Sequence, residues 1–389
     1  MSANLPLSIY IHIPFCIKKC RYCDFYSVPF SDSIALSYIE ALGKESDIYR
    51  RDSILNKQSI HTIYIGGGTP SLLSIEMWKK LDEAMFSKID KSEIKEWSVE
   101  CNPESFTVEK VEIYADTGVT RLTFGIQSLN PRELSICGRA HSMERALEVL
   151  NHRVLAEKFN SIGVDLIYSL PGQTLESLDN TLSTILSIPV IKHLSAYELT
   201  IADDTPFGRH RQKLPLPKEE LSVEMYNLIN RRCASVGMNQ YEVSNYAFEG
   251  YESIHNKAYW SHLPYIGLGA SAHSYIHPKR WSNVSDAEDY ISKISNGKRA
   301  VDFEETLDSR ELASEIIFLG LRSVSGIDEK AFISITGLEL CGDEREKVLL
   351  RYVDLGLLEK HNNRWIPTSK GMLFADMMAR ELMPSQSYS

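Results

Sequence analysis

Up to about residue 200 the chain repeats one unit: an apolar, β-branched run, a turn, then a segment whose apolar residues recur at helical spacing. The runs at 9–13, 62–65, 97–101, 121–127, 161–168 and 193–199 read as strands, apolar on both faces as a sheet covered on two sides demands. Between them, 33–49, 75–86, 107–116, 143–156 and 175–186 read as helices; in the first, Ala35, Ile39 and Leu42 share a face. Six such units with short connections predict parallel strands joined by right-handed crossovers. Two architectures satisfy this, a doubly wound open sheet and a full or partial (β/α) barrel. Both put the active site at the carboxyl ends of the strands, so a polar residue closing a strand is a site candidate on geometry alone.

The alternation loosens beyond residue 200. Asp203-Asp-Thr-Pro-Phe-Gly208 and Leu214-Pro-Leu-Pro217 are turn and linker material, a helix is expected over 218–235, and 241–275 is polar and rich in aromatics. From about Leu307 the helical pattern returns, with Leu312, Ile316 and Leu319 on one stripe. Leu355-Gly-Leu-Leu-Glu-Lys360 then reads as a helix end, Asn362-Asn363 as a hairpin turn and 364–367 as a strand. Helices closed by a short hairpin predict a small, mainly helical, winged-helix-like C-terminal domain.

Composition adds exclusions. Hydrophobic content of 43% with 24% charged residues is that of an ordinary globular protein with a sizeable core. Lys+Arg 42 against Asp+Glu 52 gives −10, which argues against a general affinity for nucleic acid. No apolar run approaches the roughly 18 residues of a membrane span, and no export signal is visible, so a cytoplasmic protein without a membrane anchor is expected.

The seven cysteines are unevenly spread. Cys101, Cys137, Cys233 and Cys341 stand alone and read as core or incidental residues, whereas Cys16-Ile-Lys-Lys-Cys20-Arg-Tyr-Cys23 places three thiols on one loop just after the first strand. A structural zinc site closes on four protein ligands; three thiolates can hold three irons of a cubane and leave the fourth open to a small molecule. A partial zinc knuckle completed from elsewhere is the competing reading.

With an aromatic, Tyr22, before the third cysteine, this CxxxCxxC loop resembles the radical S-adenosylmethionine (SAM) superfamily. The resemblance implies a partial (β/α)6-type barrel, a [4Fe–4S] cluster on Cys16, Cys20 and Cys23, SAM on its open iron, and an electron donor such as a flavodoxin or ferredoxin. Gly66-Gly67-Gly68-Thr69-Pro70 closes the second strand, where glycines let the backbone approach a ligand; it is similar to the motif that meets the SAM amino group in the superfamily. Polar residues close later strands: Glu100, Gln127 and Asp165, with Arg139 between strand and helix. Singly each reads as a loop or cap residue. Together, and with Tyr10 and Tyr22, they are implied by the resemblance as SAM contacts.

Tyr10-Ile-His-Ile-Pro-Phe-Cys16, Phe124-Gly-Ile-Gln127 and Asp165-Leu-Ile-Tyr-Ser-Leu-Pro-Gly172 resemble one branch, which holds oxygen-independent coproporphyrinogen III dehydrogenases and HemW-type haem chaperones. The dehydrogenases carry a fourth cysteine two residues after the third; here that position is Phe25. Only 15 residues precede Cys16, so the longer N-terminal segment of the dehydrogenases is expected to be absent. His255-Asn-Lys-Ala-Tyr-Trp260 matches the chaperones' HNxxYW motif, whose histidine is associated with haem. Imidazole suits haem iron, and Tyr259 and Trp260 suit a flat porphyrin. A buried structural histidine is the bland alternative. His262 and His273 read as surface or supporting groups, and Arg209, His210 and Arg211 as a solvated loop.

The expected organisation is therefore a radical SAM core over 1–240, an HNxxYW-bearing extension facing haem over 241–300, and a winged-helix-like domain over 301–389. The expected function is a haem chaperone that delivers haem to respiratory proteins, without dehydrogenase activity. The alternative is oxidative decarboxylation of coproporphyrinogen III in porphyrin biosynthesis.

Overall fold

In the computed structural model, which describes residues 5–52, 54–55 and 59–383, twelve strands form one mixed sheet. Its centre is β1 (Leu7–Ile13), followed by β2 (Ile60–Gly67), β3 (Glu96–Cys101), β4 (Arg121–Gln127), β5 (Ser161–Tyr168) and β6 (Ile191–Glu198). These six lie side by side in chain order and all in parallel. Helices of the crossovers, among them α1 (Asp32–Arg51), α2 (Ile75–Phe86), α3 (Val108–Thr117), α4 (Met143–Leu150) and α5 (Leu175–Leu186), pack onto it. Side-chain caps fix several starts; Thr174 and Ser177 close a capping box on α5. The expected helix over 143–156 is two: it ends at Leu150, and His152 Nδ1 accepts from Val154 N to start Arg153–Lys158.

Beyond α6 (Glu219–Ser235) the sheet grows at both edges. Short strands β7 (Asn239–Gln240) and β8 (Asn245–Ala247) add antiparallel to β6. After α7 (Ile254–Trp260), strand β9 (Tyr265–Leu268) pairs with β1 as a seventh parallel strand. The stretch from Pro264 to His273 reads in the sequence as a final strand and a loop, and the strand is present; its pairing with the far end of the chain is a tertiary choice. Strands β10 (His273–Ile276), β11 (Lys279–Asn283) and β12 (Val301–Thr306) continue antiparallel, with α8 (Ala287–Ser295) between the last two. The end strands β12 and β7 do not pair, so the sheet stays open as a partial barrel.

The last 80 or so residues build a second core of their own from α9 (Ser309–Gly320), α10 (Glu329–Thr336), α11 (Asp343–Asp354) and α12 (Ala375–Leu382), centred on Ile317, Phe332, Tyr352, Trp365 and Met378. Strand β13 (Ile327–Asp328) joins the hairpin β14 (Leu358–His361) and β15 (Arg364–Pro367). The residues read as a helix end at 355–360 thus divide: the helix stops at Asp354, and Leu358 begins a strand. Asn362 makes the tight turn in the left-handed region at φ 52°.

Candidate functional site

The carboxyl ends of the parallel strands carry the polar residues that the strand pattern singled out. The cysteine loop leaves β1, Gly66 and Gly67 end β2, Glu100 and Gln127 end β3 and β4, and Asp165 lies in β5. Their ends enclose a cavity of about 390 Å³, lined by Cys16, Cys20, Cys23, Tyr22, Gly67, Gly68, Thr69, Glu100, Gln127, Arg139 and Asp165. Of the expected SAM contacts, Gly66 and Tyr10 do not line it, and Tyr10 faces the neighbouring cavity.

Each glycine is required for a different steric reason. A Cβ on Gly66 would lie 2.8 Å from the Tyr64 ring and 2.9 Å from the Glu100 carboxyl carbon. Gly67 has φ +111°, and its Cβ would fall 2.6 Å from the His12 ring. On Gly68 a Cβ would meet Phe15 O at 2.7 Å and Cys16 Sγ at 3.0 Å, so the glycine lets two loops touch. The amides of Gly67 and Gly68 are already committed, donating to Glu100 Oε2 (3.1 Å) and Ile13 O (2.9 Å).

Charge in this cavity is dense and incompletely paired. Tyr64 donates its hydroxyl to Glu100 Oε1 at 2.7 Å. Burial, and secondly the neighbouring charge of Asp165, push Glu100 up to about 7; burial pushes Asp165 up to about 6. Arg139 donates to Cys20 Sγ (3.3 Å), Asn102 Oδ1 (2.8 Å) and Gly125 O (2.6 Å). Its Nε and the Oε1 of Gln127 are buried without a partner. Orphaned polar atoms of this kind cost free energy unless a ligand meets them. Two carboxyls, a guanidinium and an amide therefore converge on one enclosed space, a donor set that fits the sulfonium, ammonium, carboxylate and ribose of SAM. Burial raises the thiols of Cys16 and Cys23, the latter to about 11. Of the four single cysteines, Cys101, Cys137 and Cys233 are buried, Cys101 in the wall of this cavity and Cys137 against the loop, its carbonyl accepting from Arg21 N at 3.0 Å; Cys341 donates to Glu329 Oε1.

A larger cavity of about 920 Å³ adjoins the first, sharing Asp24, Phe25 and Glu100 as walls. It is aromatic and rich in imidazole, lined by Tyr10, His12, Tyr64, His255, Tyr259, His262, Tyr265, His273 and Tyr275, with Glu315 and Phe318 of α9 on the far side. Phe25 is 64% exposed at the junction. Arg280 ties α9 to the sheet edge by bonding Glu315 and Glu305.

His255 lies in the wall of this cavity and is 1% exposed. Its Nδ1 is 2.8 Å from Thr62 Oγ1, whose own proton goes to Ser8 Oγ at 2.9 Å. Nδ1 therefore carries the hydrogen, and Nε2, 3.0 Å from Tyr259, accepts the phenol proton. Burial pushes this imidazole down to about 3, so it is neutral with both nitrogens engaged. Glu96 anchors the start of α7 through Ser253 Oγ and the amides of Ile254 and His255. Trp260 of the motif lines neither cavity, and the basic residues at 209–211 lie away from both.

Asn102, Glu104 and Tyr197 line the polar cavity without having stood out in the sequence. Asn102 directly follows β3, so applying the strand-end rule one residue further would have found it.

Comparison with known proteins agrees with this layout. The radical SAM superfamily model matches residues 10–185 and the HemN C-terminal domain model matches residues 307–374. The haem chaperone HemW of Bacillus subtilis (strain 168) is 36% identical over 382 residues, covering 95% of this chain and 97% of that protein. The haem chaperone HemW of Mycobacterium tuberculosis (strain H37Rv) is 32% identical over 383 residues, covering 97% and 95%. Among solved structures, the coproporphyrinogen III oxidase HemN from Escherichia coli, a radical SAM enzyme, superposes with a TM-score of 0.82 at 22% identity, over 98% of this chain and 91% of that one.

Proposed function

The chain belongs to the HemW haem-chaperone family of radical SAM proteins, and from that premise we propose that it binds haem in the aromatic cavity and hands it to haem-requiring respiratory proteins. The observation that carries the reading is the pair of adjoining cavities, one polar beneath the cysteine loop, one wide and aromatic beside it. At about 920 Å³ the second is at the upper end of small-molecule sites and has room for a macrocycle. Cys16, Cys20 and Cys23 would hold the [4Fe–4S] cluster, with Gly66–Gly68, Thr69, Glu100, Gln127, Arg139 and Asp165 around SAM; when bound, that pair supplies one-electron chemistry. The chain's own contribution is to hold these groups apart from water and from haem, with Phe25 standing between. A small reductant protein, flavodoxin or ferredoxin in kind, would meet the cluster at the exposed Ile17–Lys19 edge of the loop.

No helix among the described residues is long and apolar enough to cross a membrane, so delivery to membrane-bound acceptors would proceed by docking. Reconstituting the cluster anaerobically and assaying haem binding beside coproporphyrinogen conversion tests the reading. A Soret band without vinyl product is expected; vinyl product at enzymatic rates overturns it in favour of oxidative decarboxylation.

A further inference from the structure

Four histidines line the aromatic cavity, and three have no nitrogen to spare. His12 bonds Tyr10 through Nδ1 (3.0 Å) and Tyr26 O through Nε2 (3.1 Å). His255 is held between Thr62 and Tyr259, as described. His262 lies between Glu315 (3.0 Å) and Tyr275 (3.1 Å). His273 alone among them is exposed to the cavity with neither ring nitrogen hydrogen-bonded among the described residues. Resting on the haem-carrier reading, we infer that His273 coordinates haem iron in this cavity, and that His255 of the HNxxYW motif is a positioning residue in the wall.

The backbone around His273 is built to present it. The turn from β9 to β10 is held from beneath by a buried network: Gly269 N donates to Glu45 Oε2 (2.8 Å), Ala270 N to Tyr38 Oη (2.7 Å), and Asn283 Nδ2 to Gly269 O (2.9 Å). Tyr290 and Asn283 complete the bonds to Glu45 at 2.6 and 2.7 Å. Gly269 takes φ +101° and Ser271 φ 61°, so the chain turns sharply and delivers His273 at the start of β10. Gly267 N donates to Ser274 Oγ at 2.9 Å, fixing the residue beside the ligand. A rigid turn that ends in an imidazole with its lone pair free lets iron bind without breaking an existing bond. The neutral imidazole is the ligating form, and burial together with Arg280 keeps His273 below its ordinary value.

Coordination forms one Fe–N bond from the imidazole lone pair with no change of oxidation state. The test is ferric haem titrated into the full-length, cluster-loaded wild type, His273→Ala and His255→Ala, read by Soret position and by electron paramagnetic resonance. His273→Ala is expected to lose the imidazole-ligand signature and to weaken haem binding at least tenfold, with added imidazole restoring the spectrum. His255→Ala is expected to keep the signature. A His273→Ala protein whose spectrum and affinity match the wild type overturns the assignment while leaving the haem-carrier reading in place. A wild type that binds no haem overturns the reading itself.

Discussion

The two cavities share the walls Asp24, Phe25 and Glu100 yet are built on opposite principles. The polar one gathers charge that the protein leaves unpaired: Gln127 Oε1 and Arg139 Nε have no partners, and the charge of Asp165 adds to the burial that raises Glu100. In the aromatic one, three of four imidazoles are satisfied within the protein, and rings make up much of the lining, with Asp24, Glu100, Arg280 and Glu315 as its charged members. A site left electrostatically incomplete selects a small, multiply charged ligand. A site complete in itself, but for one nitrogen, selects a large flat one by shape.

The sharpest way to break the comparison is to remove the cluster. Cys20→Ser should abolish the iron–sulfur absorbance altogether, whereas Cys233→Ser, on a buried thiol of α6 that lines neither cavity, should retain it. Equal iron content in both proteins would undo the ligand assignment. Since no cysteine lines the aromatic cavity, haem titration of the same Cys20→Ser protein reports that cavity separately.

Next in size is Glu100→Gln. Losing a buried charge-assisted bond costs roughly 1.5–3 kcal/mol, so SAM affinity should fall about 10–100-fold by calorimetry. The pH dependence follows in sign. Glu100 and Asp165 sit near 7 and 6 in the fold, above the ordinary 4.5 and 3.8. The ligand-free protein thus holds protons that the unfolded chain has released, and their contribution to stability is full below the ordinary values and lost as pH rises through about 6–7. A cationic ligand favours the ionised carboxylates, so SAM affinity should climb over that same window. A flat affinity between pH 5.5 and 8 would show that neither carboxylate meets the ligand.

Gly68→Ala should cost roughly 1–3 kcal/mol in urea unfolding, because the new methyl group meets Phe15 backbone atoms at 2.7 and 2.9 Å and one loop must shift. Cluster occupancy should drop with it, since Cys16 is the third neighbour. An unchanged midpoint would mean the contact between the loops is looser than the distances imply.

How legible each cavity was in the sequence follows from how it is assembled. The polar one draws on strand ends taken in chain order, so Cys16–Cys23, Gly66–Gly68, Glu100, Gln127 and Asp165 each stood beside a recognisable strand. The aromatic one is made by pairing β9 with β1 across some 250 residues of sequence and by folding α9 against the sheet edge; no local pattern encodes that. Tyr64, read only as part of a strand, faces this cavity, and His273 looked like a supporting group because its exposure depends on the turn beneath it. His255 and Tyr259 of the HNxxYW motif lie in this cavity's wall, but the ring's two hydrogen bonds, to Thr62 and Tyr259, are tertiary facts.

Tyr259→Phe carries the smallest effect and bears most directly on which imidazole is used. The phenol proton caps the lone pair of His255 Nε2 at 3.0 Å, while the ring packs edge-on to His255 at 4.9 Å and to Tyr265 at 4.6 Å. Phenylalanine keeps the ring contacts and removes only the cap, so stability should fall by about 1 kcal/mol. It also frees the one nitrogen through which His255 could reach iron. With His273 as the ligand, the Soret maximum and haem affinity of Tyr259→Phe should match those of the wild type. Tighter binding with a shifted Soret maximum would instead mean that His255 competes for the metal once released, and that Tyr259 had been holding it back.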